Sequence, residues 1–357
     1  MIRSLLLAMA AVFLGATVSA ARAQETGYAL KRPMIAASCK ECPWGAVADI
    51  VKAAMAGSGY DVQVCYTCAG GPREVRLVAA AAMAAPMPPS MNGTLKRLGI
   101  AADSMPPPPR GRVDFGVTND NYLYWAYHGT GEYKGEPPRT QLRLVADITV
   151  PYYLVVAARA GSGITDLEQL KARRGVRILS DDRLFPHIAQ DVLAYYGISA
   201  ATIRANGGKM LDSLTPADRG DFDVAILVAD LSATPEFIAG YEISARFDLT
   251  YLSLPQPLLE RIASGYYMVP ATMPRGYFRG VAHPVPTVAW DGLAVYGRTD
   301  MPDDFAYQLA KSLYERQELL SGALEHFAYH PRRVWKVGDV PLHPGAARFY
   351  REIGFMP

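Results

Sequence analysis

Apolar positions along this chain recur with a period near two in short runs and near 3.6 in longer ones, and the two rhythms alternate. Residues 34–38 form a short apolar run that stops at Cys39-Lys40-Glu41-Cys42-Pro43. From Trp44 onward Val47, Ile50, Val51, Ala54 and Met55 keep helical spacing until Gly57-Ser58-Gly59 breaks it. Pro43 suits the first turn of that helix, where a missing N–H costs nothing. Residues 61–66 then alternate like a strand and open into Thr67-Cys68-Ala69-Gly70-Gly71-Pro72, with a second helix starting near Arg73. A βαβ unit of this length predicts two parallel, neighbouring strands with a right-handed crossover. Both Cys-x-x-Cys loops would then leave the carboxyl ends of the strands at one sheet edge, where open α/β sheets bind ligands.

The same grammar continues. Residues 113–118 read as a strand ending at Asn119-Asp120, followed by a helix carrying Tyr122, Tyr124, Trp125 and Tyr127. Residues 142–146 and 152–158 read as two further strands, the second long enough to cross between lobes. Thr165 and Asp166 cap a short helix; residues 176–179 form a strand ending at Ser180-Asp181-Asp182-Arg183; residues 187–196 form a helix. Residues 222–228 are a buried strand ending at Ala229-Asp230, and 249–254 the last strand of this region. A second long β stretch, 287–296, matches 152–158, and Asp303-Asp304 caps an amphipathic helix. The pattern predicts an α/β chain of two lobes, residues 27–150 with 297–357 and residues 160–280, joined by crossing strands at 151–159 and 286–296. Residues 84–112 interrupt it with Pro86, Pro88, Pro89 and a run from Pro106 to Pro109, among Met87, Met91 and Met105. Such proline density precludes regular structure, so this is a Pro/Met-rich insertion.

The first residues change the picture of where the chain works. Arg3, the apolar core from Leu5 to Leu14 and the exit Ala21-Arg22-Ala23 describe a secretory signal peptide over 1–23, cleaved after Ala23. No later stretch approaches the roughly 18 uninterrupted apolar residues of a spanning helix, so the mature protein is expected to be soluble and extracytoplasmic. The leader holds Arg3 and Arg22 and none of the 34 acidic residues. The remaining chain is therefore balanced in charge, with no electrostatic reason to bind nucleic acid or anionic membrane. Two α/β lobes joined by two strands, on an exported chain, describe a solute-binding protein that closes on its ligand by a hinge.

The last third sharpens this. Met273-Pro274-Arg275-Gly276-Tyr277-Phe278-Arg279-Gly280 precedes Pro286-Thr287-Val288-Ala289; Arg298-Thr299-Asp300-Met301-Pro302 and the ending from Leu342-His343-Pro344-Gly345 to Glu352-Ile353-Gly354 follow. The chain resembles the TAXI family, the extracytoplasmic solute receptors of TRAP transporters, and the resemblance covers most of the mature sequence. It implies a type II periplasmic-binding fold in the periplasm. It also implies a small organic carboxylate or amino acid as solute, delivered to a membrane permease that runs on an ion gradient, with no cofactor. The departures fall in the first two loops, where the family usually has a Gly-rich, Tyr-containing loop and a Gly-Gly-Ser-x-x-Asn loop. Here those places hold Cys39-Lys40-Glu41-Cys42 and Cys68-Ala69-Gly70-Gly71.

Candidate ligand-binding residues are those at strand ends facing the cleft: Ser38, Trp44, Tyr66, Thr67, Gly70, Gly71, Arg73, Asn119, Asp120, Ser180, Arg183 and Asp230. Gly70-Gly71 before a helix can present backbone N–H groups to an anion. Arg73 and Arg183 offer forks for a carboxylate from opposite lobes; the competing reading pairs each with a neighbouring acid, Glu74, Asp181 or Asp182. Asn119 adds a neutral donor, and Trp44 or Tyr66 an apolar wall.

Four cysteines in an exported chain predict two disulfides. Cross-links between the loops are expected, for example Cys39 to Cys68 and Cys42 to Cys65, because pairing inside each Cys-x-x-Cys is strained. The alternative is a four-thiolate metal site of Cys39, Cys42, Cys65 and Cys68, with pairs separated by slightly more than the usual zinc gap of about 15–20 residues. No His-Glu-x-x-His and no Gly-x-Ser-x-Gly elbow occurs. A binding protein rather than an enzyme is expected, with a thiol–disulfide or metal-handling protein on a receptor fold as the alternative.

Overall fold

The computed structural model describes residues 27–357 other than 41, 69–70, 90–95, 97–104, 183–186, 232–233, 235 and 325–326. The signal peptide, the middle of the insertion with Met91, Gly70 and Arg183 therefore lie outside the described residues. In chain order the elements begin β1 (Met34–Ala36), α1 (Pro43–Met55), β2 (Gln63–Cys65), α2 (Pro72–Ala79), β3 (Phe115–Asn119) and α3 (Asp120–His128). β4 (Leu142–Arg159) leads to β5 (Arg177–Ser180), α4 (Ile188–Tyr195), α5 (Ala200–Ala205), β6 (Lys209–Asp212) and β7 (Val224–Ala229). Then come α6 (Ile238–Arg246), β8 (Leu249–Tyr251), α7 (Gln256–Tyr266), β9 (Val269–Met273) and β10 (Val285–Arg298). Three helices finish the chain: α8 (Asp303–Glu315), α9 (Gln317–Ala323) and α10 (Pro344–Glu352).

One continuous sheet runs β2-β1-β3-β10-β4-β7-β5-β6, with β8 added to β4 and β9 to β10. β1 is parallel to β2 and β3, and β5 to β6 and β7, as short βα units require. β4 and β10 are antiparallel and shared by both halves. Near one end they pair as Leu142↔Arg298 and Ala146↔Val295; further along, as Tyr152↔Trp290 and Tyr153↔Ala289. β10 pairs with β3 through residues 293–296 and with β9 through 285–289. β4 pairs with β7 through residues 153–158. Each of these two strands thus belongs to one half of the sheet at one end and to the other half at the other.

Two runs read separately in the sequence, 142–146 and 152–158, are one strand of 18 residues. The intervening Ile148, Thr149 and Val150 are β-branched and favour the extended backbone. Pro151 is tolerated because the register shifts there: Val150 and Pro151 stand against Asp291 alone between the Thr149↔Gly292 and Tyr152↔Trp290 pairs. β6 and β9 were not legible in the pattern. β9 contains Pro270 and β6 is an edge strand with its first residue exposed, so neither shows a clean alternation.

Burial sorts the helices. Val47, Val51 and Met55 of α1 pack with Ile35, Val117 and Leu293, and with Phe305, Leu309 and Phe349 of α8 and α10. Val75 and Val78 of α2 and Leu123 of α3 pack on the opposite face, against Ala36, Cys65, Ala294 and Tyr296. In the other half, α4 and α7 cover one face, and α6 covers the second with Phe278 and Ala289. Among the described residues no helix is long and apolar enough to cross a membrane.

Candidate functional site

The carboxyl ends of β1, β2, β3, β5 and β7 point toward the strip where β4 and β10 cross, and the side chains of interest collect there. Ser38 is buried just past β1. Cys42 is the N-cap residue of α1, with Pro43 behind it, and the following turn folds tightly under Cys39: a Cβ at Gly45 would lie 1.8 Å from the Cys39 carbonyl oxygen. Trp44, half-buried, donates its indole N–H to Asn119 Oδ1 at 2.6 Å, which ties the start of α1 to the end of β3.

The disulfide expectation is corrected. Cys39 is bonded to Cys42 and Cys65 to Cys68, with Cα separations of 5.4 and 5.5 Å, inside the disulfide range of about 4.4–6.8 Å. The reason is the sidedness of the two helices. α1 and α2 descend on opposite faces of the sheet, so the two loops peel apart. Cys65 and Cys68 go into the core beneath α2, while Cys39 and Cys42 pack with Met105, Met87 and Trp44. With each sulfur bonded inside its own loop, Cys39, Cys42, Cys65 and Cys68 do not assemble a four-thiolate metal site. The insertion's described ends form a small bridge, Met83 to Arg112, and Met105 is buried over the first disulfide.

Several expected ligand residues have internal partners. The Tyr66 hydroxyl bonds to Asp49 of α1, and the Thr67 hydroxyl donates to the Ala85 carbonyl at 3.2 Å. Gly71 is the N-cap residue of α2 at φ +60°, a left-handed conformation that favours glycine, and lies against the Tyr122 ring. Arg73 is half-buried in the first turn of α2. Its neighbour Glu74 is fully buried and accepts from the Tyr296 hydroxyl at 3.0 Å. At the ends of β5 and β7 Ser180 donates to Asp182 Oδ2 at 3.4 Å, and Asp181 accepts from the Val228 N–H.

The opposing half reaches over. Glu236, just before α6, brings its carboxylate within 4.8 Å of the sulfurs of Cys39 and Cys42. Those sulfurs are spent on their disulfide, so the three groups are not a metal-ligand set. Beside it Phe237 stacks on Tyr152 of β4, with centroids 4.4 Å apart and planes at 29°. Tyr152 is 1% exposed and lies in the field of Asp230, Glu236 and Asp120, which with burial raises its pKa well above the ordinary value.

Residues 109–354 match the model of the NMT1-like family. The chain belongs to that family. Similar solved structures include a periplasmic transporter at 12% identity and TM-score 0.39, covering 90% of this NMT1-like chain and 92% of that one. The periplasmic aliphatic sulphonate-binding protein SsuA from Escherichia coli is similar at 10% identity and TM-score 0.33, with 92% and 79% covered. A protein from Xanthomonas citri, solved with a chloride ion, is similar at 14% identity and TM-score 0.34, with 90% and 96% covered. The NMT1-like chain has a mixed α/β fold whose two halves share β4 and β10 in one continuous sheet.

Electrostatically, the described surroundings of Tyr152 in this NMT1-like chain are acidic. Asp120 and Asp230 are buried and Glu236 is half-buried. Burial pushes the Asp120 carboxyl up to about 7, although its own Oδ1 accepts the Asn121 N–H at 2.7 Å and Arg333 lies near. Burial likewise raises Asp181 to about 8. Glu236, Phe237 and Tyr152 were missed in the sequence reading. Glu236 and Phe237 sit at a strand-to-helix junction like every other candidate, and continuing the rule past Asp230 would have reached them. His343 caps α10: its Nδ1 accepts from Gly345 N at 3.3 Å, and its Nε2–H donates to the Met301 carbonyl at 3.0 Å.

Proposed function

We propose that this protein is the exported solute receptor of a TRAP transporter of the TAXI kind, closing its lobes on an amino acid and passing it to an ion-gradient-driven permease. The observation that carries the reading is the make-up of the cleft. Phe237 and Tyr152 supply an apolar wall, Asp230 and Glu236 beside Tyr152 suit an ammonium group, and Arg73 in the first turn of α2 is the expected partner of a carboxylate. A zwitterion satisfies both signs; a simple dicarboxylate would meet the acids as like charges. The His343-to-Gly354 ending and the two-lobed fold support the family assignment within the wider NMT1-like group. Binding without turnover is the expected activity, since closure around a solute needs no reacting group.

Isothermal calorimetry against amino acids, mono- and dicarboxylates, amines and neutral solutes tests this. Amino acids are expected to bind, with Arg73→Ala losing about 1.5–3 kcal/mol, the worth of a charged hydrogen bond, and Glu236→Gln weakening amino acids more than monocarboxylates. Tight binding of only neutral solutes, or of carboxylates unaffected by Arg73→Ala, would overturn it.

A second reading has its own observation. Both Cys-x-x-Cys pairs close within themselves, and Cys42 stands at the amino end of α1, where a helix dipole stabilises a thiolate. That arrangement suits thiol–disulfide exchange. Equilibration with glutathione redox buffers and counting of free thiols separates the two readings; a chain fully oxidised in millimolar reduced glutathione supports the receptor alone.

A further inference from the structure

A second concave site lies at the end of the sheet away from the cleft. β4 ends there at Arg159, between the points where β7 and β8 begin, and β5 begins beside β7. The Arg159 N–H donates to the Asp223 carbonyl at 2.9 Å and the Ala160 N–H to the Asp248 carbonyl at 2.8 Å, which pins this end of β4 between the two segments. The cavity they border, about 510 Å³, is lined by residues 159–162, Arg177, Asp223 and residues 246–248. That volume falls within the range of about 300–1,000 Å³ common to small-molecule sites.

The charges around this cavity do not cancel. Asp223 is taken by Arg177, whose Nε reaches Oδ2 at 3.1 Å and whose terminal nitrogen reaches Oδ1 at 2.9 Å; Asp221 pairs with the same guanidinium. Asp248 is paired with Arg279, which also donates to the Ala245 carbonyl in the last turn of α6 at 3.1 Å. Glu242, one turn before Arg246 on α6, is taken by Arg219 at 2.6 Å. Two cations are left over. Among the described residues neither Arg159 nor Arg246 has an acidic partner. What holds both is one aromatic ring: their guanidinium carbons lie 4.1 and 5.2 Å from the centroid of Phe247, which stands edge-on to the buried Phe222 at 5.6 Å. A ring face orients a guanidinium but leaves its charge and its N–H donors available. Ala160, Gly161 and Ser162 add only short side chains, and a Cβ placed on Gly161 would meet nothing within 4 Å.

We propose that this cavity binds a terminal phosphate group, carried on a small molecule or a lipid headgroup, through the guanidinium forks of Arg159 and Arg246. Two unpaired guanidiniums on one ring match a dianion with several oxygens, whereas a carboxylate calls for a single fork. The cavity is larger than a bare phosphate requires, so the remainder of the ligand lies along Phe247 and the rim at Gly161. Arg159 is seven residues along β4 from Tyr152, roughly 23 Å of extended strand. The site is therefore separate from the solute cleft.

The test is calorimetry of the mature protein at low salt with glycerol 3-phosphate and with acetate, beside co-sedimentation with phosphatidylcholine vesicles with and without phosphatidic acid. Saturable binding of the phosphomonoester is expected, one per chain in solution, with acetate at least about tenfold weaker; a response of the soluble arm alone identifies a small metabolite, and of the vesicle arm alone a headgroup. Arg246→Gln, at an exposed position, should weaken that binding at least about tenfold, the worth of a charged hydrogen bond. Gly161→Asp, which sets a carboxylate in open space at the rim, should weaken it as well. Arg351→Gln on α10 should leave it unchanged, and circular dichroism verifies the fold of each variant. Absence of binding in both arms overturns the proposal, as does binding that Arg246→Gln and Gly161→Asp leave intact. An equal loss in Arg351→Gln would mean diffuse surface charge and overturns it too. Solute affinity of the cleft is expected to be the same in Arg246→Gln as in the parent, so failure of either reading shows separately.

Discussion

Asp181 shows how one residue sets a pH dependence. Its carboxyl is 3% exposed, accepts from the Val228 N–H at the end of β7, and is raised by burial to about 8. In the unfolded chain it titrates near the ordinary value, so between about 4 and 8 the folded state holds a proton the unfolded state has lost. Stability from this group is fully present below about 4 and is lost as pH rises toward 8. Asp181→Asn keeps an oxygen for Val228 and removes the titration. Urea unfolding from pH 5 to 8 should show a flatter stability curve for the variant, crossing above the parent at the alkaline end; parallel curves would remove Asp181 from the account.

At the scale of elements, the two disulfide loops are where the reading of the sequence and the structure part most instructively. The apolar rhythm located β1, α1, β2 and α2 to within a few residues, and the strand ends at Asn119, Ser180 and Asp230 as well. It could not say which face of the sheet each helix covers. Ile35 and Ala36 point to opposite cores, and so do Val64 and Cys65; the side taken by α1 or α2 depends on strands that come much later in the chain. Once the helices part, cross-pairing of the cysteines is geometrically lost. The acidic character of the cleft was hidden for a related reason: Glu236 reaches the site only because β4 and β10 bring the second half over the first. Closing a loop as short as Cys65 to Cys68 removes little freedom from the unfolded chain. Cys65→Ala/Cys68→Ala should therefore cost only about 2 kcal/mol by the loop-entropy relation. Chemical denaturation measures it, and a loss several times larger would mean that the fully buried sulfurs matter through packing instead.

For the molecule as a whole, the two halves meet through side chains as well as through strands. Glu236 lies against the Cys39–Cys42 loop, and Phe237 stacks on Tyr152 where β4 passes from one half to the other. An aromatic pair of this kind contributes about 0.5–1.5 kcal/mol beyond its buried area. Phe237→Leu keeps the apolar bulk and removes the stack, so it should shift the solute-free protein toward a more open shape. Small-angle scattering is expected to give a larger radius of gyration for the variant than for the parent, with the two converging on saturation by solute. Superimposable curves without solute would mean that the stack does not hold the lobes.

The shared strands also fix an order of assembly. β3 finds its second neighbour, after β1, only in β10, and the buried contact of Glu74 with Tyr296 joins positions 222 apart. Everything from β5 to β9 is synthesised between them. The first-made strands therefore wait, with β3 and β4 each offering an unpaired edge, until the chain has passed Arg298. Such edges are templates for pairing between molecules. A chain released before Val285 would carry a complete set of residues for the middle region and an unfinished first half, and its open edges would find each other rather than the strand that was never made.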